Sequence, residues 1–410
     1  KEGENMWRSD NWWVSPHNYQ DEVRSTFKFP EKVTIHDITL RDGEQQAGLI
    51  FNKNDKIQIA KMLDEVGIHR IEAGMPAVSE EDREAIKAIT HEGLNAKIFC
   101  LTRCMKRDVD LALECGVDGV QMEVPASEHI IKYLYGWPLE KAIKLPIEAT
   151  RYAADHGLHV AFFTMDSTRT SLDWWFEIIN RVATEGHMDS LVLVDTFGVC
   201  SPEGARYFVR KIREKIDKPI EAHFHDNFGL AVANAIAACC EGASVLHTTV
   251  NGIGEGMGNA ALEEVIVALE ALYGVRLNLK TEKLYELSKL VQELSKIKVP
   301  PYKSVVGDGA YRIESGIVAG WWRRVKELGV PPLAAYPYRW DFVGQKEPQI
   351  ILAKGSGRDS IEVKLKALDL SYTKEQVDNI LNRVKEESTR RKSAISDEEF
   401  IEMVKEFTKK

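Results

Sequence analysis

The chain has 410 residues, 44% of them hydrophobic and 29% charged, which is enough for a large apolar core and more than one domain. Its formal net charge of -9 argues against a generic nucleic-acid binder, because such proteins need a basic face to displace counterions. No apolar run approaches the roughly 20 residues of a membrane helix and no signal-peptide core opens the chain, so small metabolites are the expected partners, with neither nucleic acid nor membrane.

The first thirty residues carry Trp7, Trp12 and Trp13 among polar neighbours. Three tryptophans left in water would form an unusual apolar patch, so residues 1–30 are expected to be an arm packed on the following domain or on a second subunit. Between Lys32 and Gly254 short apolar, β-branched runs alternate with amphipathic stretches of helical length. Eight strands are expected, at residues 32–40, 69–75, 96–101, 119–124, 159–164, 190–195, 219–225 and 245–251. The fold class is therefore α/β, and eight successive βα units favour a closed (β/α)8 TIM barrel over residues 31–275. An open, doubly wound sheet is the second choice, but no glycine-rich dinucleotide fingerprint follows the first strand. After about Val275 the pattern becomes helices separated by proline-containing turns, so residues 276–410 are expected to form mostly helical C-terminal subdomains. The charge-rich stretch from Lys354 onward reads as solvated helix faces. The six cysteines, Cys100, Cys104, Cys115, Cys200, Cys239 and Cys240, have no zinc-ribbon spacing, and a reducing cytoplasm is the simplest setting for them.

The chemistry concentrates at expected strand ends. In EAHFHDNFG, His223 and His225 are two apart on a strand, so both project to one side while Phe224 faces the other. An HxH by itself is more often two ordinary histidines than a metal pair. Here it closes the seventh strand, at the C-terminal rim where barrel enzymes keep their active sites, and that favours the metal. TLRDGEQQAG places Arg41 and Asp42 at the same rim after the first strand, and NGIGEGMGNAALEE places Glu255 and Asn259 after the eighth. Barrel closure makes strands seven, eight and one neighbours, so Asp42, His223, His225 and Asn259 can converge. Two imidazoles, a carboxylate and an amide oxygen suit a divalent ion such as Mn2+, Mg2+ or Zn2+, without choosing among them.

TLRDGEQ, EAGMP, DTFG, HFHDNFG and GIGEGMGN, in this order and at strand ends, resemble the signatures of the DRE-TIM metallolyase superfamily. This superfamily includes isopropylmalate, homocitrate and citramalate synthases and hydroxymethylglutaryl-CoA lyase. The likeness spans the barrel and continues into KGSGRDSIEVKLKALDLSYTKEQVDNILNRVKEES, which is similar to the helical subdomain of the synthases. No regulatory domain of the isopropylmalate synthase kind is expected after Lys410. The resemblance implies that Asp42, His223 and His225 bind the metal, with Asn259 as a nearby or direct ligand. It implies that Arg41 stabilises the developing enolate or alkoxide, that Thr196 holds the carboxylate of a 2-oxo acid, and that Glu72 shapes the pocket. Asp195 is expected to orient Thr196 or the backbone, and Arg41 has the plainer alternative of a salt bridge with Asp42.

The match fails at particular residues. The synthases carry an HESGIH-like segment whose first histidine serves acid–base chemistry, whereas this chain has AYRIESGIV, with Ile313 and Val318 at the histidine positions. No histidine follows His247. The loop cysteine of the lyases is absent from GIGEGMGN, and Met165 stands where the synthases commonly carry a glutamate. Glu314 is the expected replacement acid–base group, with Tyr311, Arg103 and Glu123 as further candidates, and Ile313 is expected to make the pocket drier. The leading expectation is a homodimeric acyltransferase condensing an acyl-CoA with a 2-oxo acid. The alternatives are a carbon–carbon lyase or aldolase acting on a hydroxy acid or its CoA ester, and a non-catalytic relative.

Overall fold

The structure is a computed structural model that describes residues 6–408, so the first five residues of the expected arm lie outside the described residues. The chain divides into two compact units, one spanning residues 16–299 and the other combining the residues up to Ser15 with those from Pro300 onward.

The first unit is the closed barrel. Its strands are β1 (Thr34–Asp37), β2 (Arg70–Glu72), β3 (Lys97–Arg103), β4 (Gly119–Pro125), β5 (His159–Met165), β6 (Ser190–Asp195), β7 (Ile220–Phe224) and β8 (Val245–Thr248). All pair in parallel in sequence order, and β8 closes on β1 with Val245 opposite Thr34 and Thr248 opposite Asp37. The near-continuous apolar runs have their cause here, since parallel strands are covered on both faces. The expected strands are all present, with shifted ends. β1 ends at Asp37, whose carboxylate turns back to accept from the amide and hydroxyl of Thr39, at 3.0 Å each, while Ile38 still donates its amide to Thr248 O at 2.8 Å before the chain leaves the sheet.

The interior of the barrel is not wholly apolar. Glu221 on β7 accepts hydrogen bonds from Arg70 (2.8 Å), Gln121 (3.0 Å), Ser190 (2.6 Å) and His247 (2.8 Å), and all of these side chains are buried. Above it Glu72 on β2 is shared between His36, at 2.9 Å, and Arg41. Burial works against ionising Glu72, but the Arg41 guanidinium and the His36 bond overcome it and bring its pKa down to about 2. Burial lowers that of His36 to about 3. Each charge is paired or hydrogen-bonded, as buried charges must be.

The second unit is helical around a two-stranded parallel ribbon, β9 (Arg312–Ile313) with β10 (Gln349–Ile350). Helices Gly316–Leu328, Arg358–Ala367, Lys374–Arg391 and Asp397–Thr408 supply a core that includes Trp322, Ile361, Leu365, Ile380 and Phe400. Ile313, with an exposure of 3%, sits in this core beside Ile350 and Leu352. It is a core side chain of its own unit, which corrects the expectation that it dries a pocket.

The arm is shared between the two units. Trp13 donates its amide to Pro337 O (2.8 Å), Trp12 forms an antiparallel bridge with Tyr338, and the Trp12 ring lies 5.5 Å from that of Phe342. The Trp12 ring thus packs on Phe342 within its own unit, and the Trp7 and Trp13 rings lie 6.5 Å apart. The barrel receives the next stretch instead: Tyr19 donates its hydroxyl to Ala271 O at 2.8 Å, and Phe27 packs 5.6 Å from Tyr273.

Candidate active site

At the end of β7, period-two geometry turns His223 and His225 to the same side, while Phe224 between them is buried against the outer layer. Their Nε2 atoms approach to 3.1 Å. Asp42 arrives from the turn after β1, its Oδ2 standing 3.7 Å from His223 Nε2 and 3.8 Å from His225 Nε2. One donor atom from each of the three residues falls within 4.8 Å of the others, as around a common centre, and all three are buried. Asn259 is paired with His225 in an isolated antiparallel bridge and donates Nδ2 to Asp42 Oδ1 at 2.8 Å. That orientation leaves Asn259 Oδ1 buried without a partner. The four expected ligands therefore converge, and the orphaned oxygen beside two imidazoles and a carboxylate fits a divalent cation.

The glycines of GIGEGMGN have a steric cause. A Cβ on Gly254 would lie 2.1 Å from Asn259 Nδ2 and 2.9 Å from Asp42 Oδ1, and one on Gly258 would lie 1.9 Å from Gly252 O. The loop can bring Asn259 to Asp42 only because nothing projects from these positions.

A buried relay sets the state of His223. Its Nδ1 lies 3.3 Å from His247 Nδ1, and His247 Nε2 lies 2.8 Å from Glu221 Oε2. The carboxylate can only accept, so His247 Nε2 carries a proton, and the neutral ring with that tautomer presents a lone pair on Nδ1. His223 must then donate from Nδ1, which leaves its Nε2 lone pair aimed at Asp42 and His225, the arrangement a metal ligand needs. Burial, followed by the charges of His225, His247 and Arg41, keeps the His223 pKa well below the ordinary imidazole value. From the sequence alone none of His36, Arg70, Glu221 and His247 was assigned a role. The available signal was a set of polar residues at inward-facing places in apolar strands: HRIE, EAHFH and VLHTT.

Arg41 is held between Asp42, at 2.8 Å from Nη1, and Glu72, with Nη1 also 3.1 Å from Gln45 Oε1. Its Nη2 is buried without a partner. Burial opposes ionising Asp42, and Arg41, His225 and the Asn259 amide outweigh it, so its pKa falls below the usual carboxylate value. A cavity of ≈ 440 Å³ opens above this cluster, lined on its polar side by Arg41, Asp42, Glu123, Thr196, His223 and His225, and elsewhere by side chains such as Leu101, Phe163 and Met165. Thr196 Oγ1 accepts from the Asp166 amide at 2.8 Å, which leaves its O–H free to donate. Asp195 accepts from Val199 N (3.1 Å), Cys200 N (3.0 Å) and the Thr168 hydroxyl (2.7 Å), and so fixes the loop after β6. Glu72 lies beneath Arg41 and orients it.

The four acid–base candidates separate. Glu314 belongs to the second unit, where its exposed carboxylate accepts from Gly355 N at 2.9 Å. Tyr311, in the same unit, donates its hydroxyl to Tyr338 O at 3.0 Å. Arg103 is paired with Asp108 at 2.8 Å. Glu123 lines the cavity.

A family model described as HMGL-like matches residues 32–291. The chain belongs to the HMGL-like family. Among its relatives, homocitrate synthase AksA of Methanopyrus kandleri is 44% identical over 94% of this chain and 95% of its own length. (R)-citramalate synthase CimA of Methanocaldococcus jannaschii is 41% identical over 92% of this chain and 75% of its own. The 2-isopropylmalate synthase of the same organism is 41% identical over 87% and 68%. Among solved structures, the HMG-CoA lyase of Bacillus subtilis superposes with a TM-score of 0.61 over 66% of this chain and 96% of its own, at 23% identity, a likeness of fold. Within the HMGL-like family the chain thus aligns along nearly its whole length with proteins named as synthases.

Proposed function

We propose that this protein is a metal-dependent acyltransferase that joins the α-carbon of an acyl-CoA to the carbonyl carbon of a 2-oxo acid and releases free CoA. The observation that carries it is the coincidence of synthase kinship over 94% of the chain with a cavity that gathers Arg41, Asp42, Thr196, His223 and His225. A divalent ion held by Asp42, His223 and His225, with Asn259 Oδ1 at hand, would polarise the 2-oxo acid's carbonyl oxygen. The chain's own groups do the rest. Thr196 donates its free O–H to the substrate carboxylate. Arg41 offers its unpaired Nη2 to the oxygen on which negative charge grows, and because Asp42 and Glu72 already fix the guanidinium, this costs little reorganisation. The apolar walls shed water and strengthen both interactions.

The test is thiol release from acetyl-CoA with pyruvate, 2-oxoisovalerate and 2-oxoglutarate in turn, with Mn2+, Mg2+ or Zn2+ supplied. At least one pair should yield CoA and a hydroxy acid with one carboxylate more than the 2-oxo acid, seen by mass spectrometry. Cleavage of a hydroxy acid or its CoA ester with no thiol from any pair would instead make the protein a lyase, and inactivity in both directions would make it a non-catalytic relative.

The working form is proposed to be a homodimer in a reducing cytoplasm. Large apolar side chains stand exposed around the barrel, Ile50, Tyr133, Leu134 and Phe228 among them, and such surface favours association. All six cysteines are free thiols, and no helix among the described residues is long and apolar enough to cross a membrane. Light scattering at micromolar concentration should give twice the chain mass of 46.4 kDa; a monomer at that concentration rejects the dimer.

A further inference from the structure

The cavity holds a carboxyl group to which the metal cluster assigns no work. Glu123 stands on β4, where its register partner is Phe163 of β5. Two residues earlier, Gln121 sends its amide to Glu221 inside the barrel, so Glu123, on the same face, also points inward, one layer higher, into the cavity. The other acids nearby are tied down: Asp42 accepts from Arg41 and Asn259, Glu72 from Arg41 and His36, Asp195 from two amides and a hydroxyl. Among the described residues no hydrogen bond or ion pair reaches the Glu123 carboxylate. A carboxyl packed into such a place without a partner is costly for stability, and groups of this kind concentrate where chemistry uses them.

We infer that Glu123 is the acid–base residue of this site, the group that takes the α-proton from the acyl thioester. The inference rests on the condensation proposed above. Glu123 accepts the proton, and the C–H electron pair moves into the thioester to give its enolate. The enolate carbon then forms the new bond to the 2-oxo acid's carbonyl carbon, and the carbonyl π pair becomes an alkoxide beside Arg41. The alkoxide takes up one proton, and water then adds to the thioester carbonyl and expels CoA as the thiol. One water is consumed, and acyl-CoA plus 2-oxo acid gives a hydroxy acid with one carboxylate more than the 2-oxo acid, plus free CoA.

The surroundings suit a group that must hold a proton part of the time. Burial raises the Glu123 pKa, Arg41 opposes it, and Asp42, Glu72 and Glu255 raise it further. The phenol of Tyr135, at the same cavity, and Arg103 and Cys104 at the end of β3 are the other titratable groups that feel its charge. Across the wall Met165 contributes no ionisable group. Glu255 lines the cavity too, but it is exposed on the loop after β8, whereas Glu123 is half-buried.

The test compares wild type with Glu123→Gln, which keeps the shape and removes the base, and with Glu123→Asp, which keeps a carboxyl one methylene short. Two rates are read: thiol release, and deuterium uptake from D2O into the acetyl group of acetyl-CoA. Glu123→Gln should lose roughly 10²–10⁴-fold in both. Its affinity for Mn2+ alone and its KM for the 2-oxo acid should stay within about threefold of wild type, and Glu123→Asp should regain part of the loss. Exchange by Glu123→Gln within about threefold of wild type overturns the assignment, as does a loss of Mn2+ affinity, which would make Glu123 part of the metal centre. A wild type that exchanges but releases no thiol sinks the condensation and leaves Glu123 in its role; a wild type that does neither removes both.

Discussion

Asp42→Ala and His223→Ala are each expected to lower turnover by roughly 10³-fold or more and to lose affinity for Mn2+, while the barrel still melts as a cooperative unit. Even a residue that only supports a ligand typically costs about 10–100-fold in metal affinity, so loss of a ligand costs more. Asp42 brings the negative charge of the set, and its Oδ1 also holds Asn259 at 2.8 Å, so its removal unfastens two candidate ligands together. His223 is the point at which the relay through His247 and Glu221 reaches the cluster. The packed layers of strand side chains lie below both residues, which is why the fold should survive. Metal content after desalting, isothermal titration with Mn2+ and a circular-dichroism melt check the three parts. Full activity of either variant in metal-depleted buffer rejects the site.

Arg41→Ala is expected to lower kcat by about 10²–10³-fold with little change in KM for the 2-oxo acid, the loss that follows from removing a preorganised donor to an oxyanion. Arg41→Lys should recover little of it, because a single ammonium nitrogen cannot reach Glu72 and Asp42 at the separate places where Nε and Nη1 meet them and also present a donor where Nη2 now stands. Arg41→Ala leaves Glu72 short of a partner. Its pKa of about 2 in the folded protein lies below the unfolded carboxylate value near 4.3, so it stabilises the fold above about pH 4.3 and that contribution fades as pH falls toward 2. Without Arg41 the stabilisation at neutral pH should shrink, and the melting temperature with it. An unchanged kcat with a raised KM would make Arg41 a binding group and nothing more.

What was legible in the chain was whatever period and order encode. Two-residue spacing put His223 and His225 on one side, strand order brought Asp42 and Asn259 to them, and closure of β8 on β1 made the convergence physical. The polar centre of the barrel was not legible, because a histidine or glutamate within a run such as VLHTT or IEAHF leaves the apolar pattern intact, and only three-dimensional pairing shows that it is satisfied. The choice among acid–base candidates was equally hidden. Sequence proximity to the missing histidines favoured Glu314, whose carboxylate accepts from Gly355 within its own unit, while Glu123 lines the cavity. Ile313 misled for a related reason: a position compared with a catalytic one in relatives serves here as core.

The early tryptophans have a consequence for how the protein is made. Trp12 and Trp13 leave the ribosome more than three hundred residues before Pro337, Tyr338 and Phe342, the partners that cover them. At about 5–20 residues per second that interval lasts on the order of half a minute, long enough for the barrel to be completed first. During that time the arm is a nascent segment with apolar rings and no place to put them, a natural substrate for chaperones. Docking of the Trp12 ring therefore has to wait until the segment that carries Phe342 has been made.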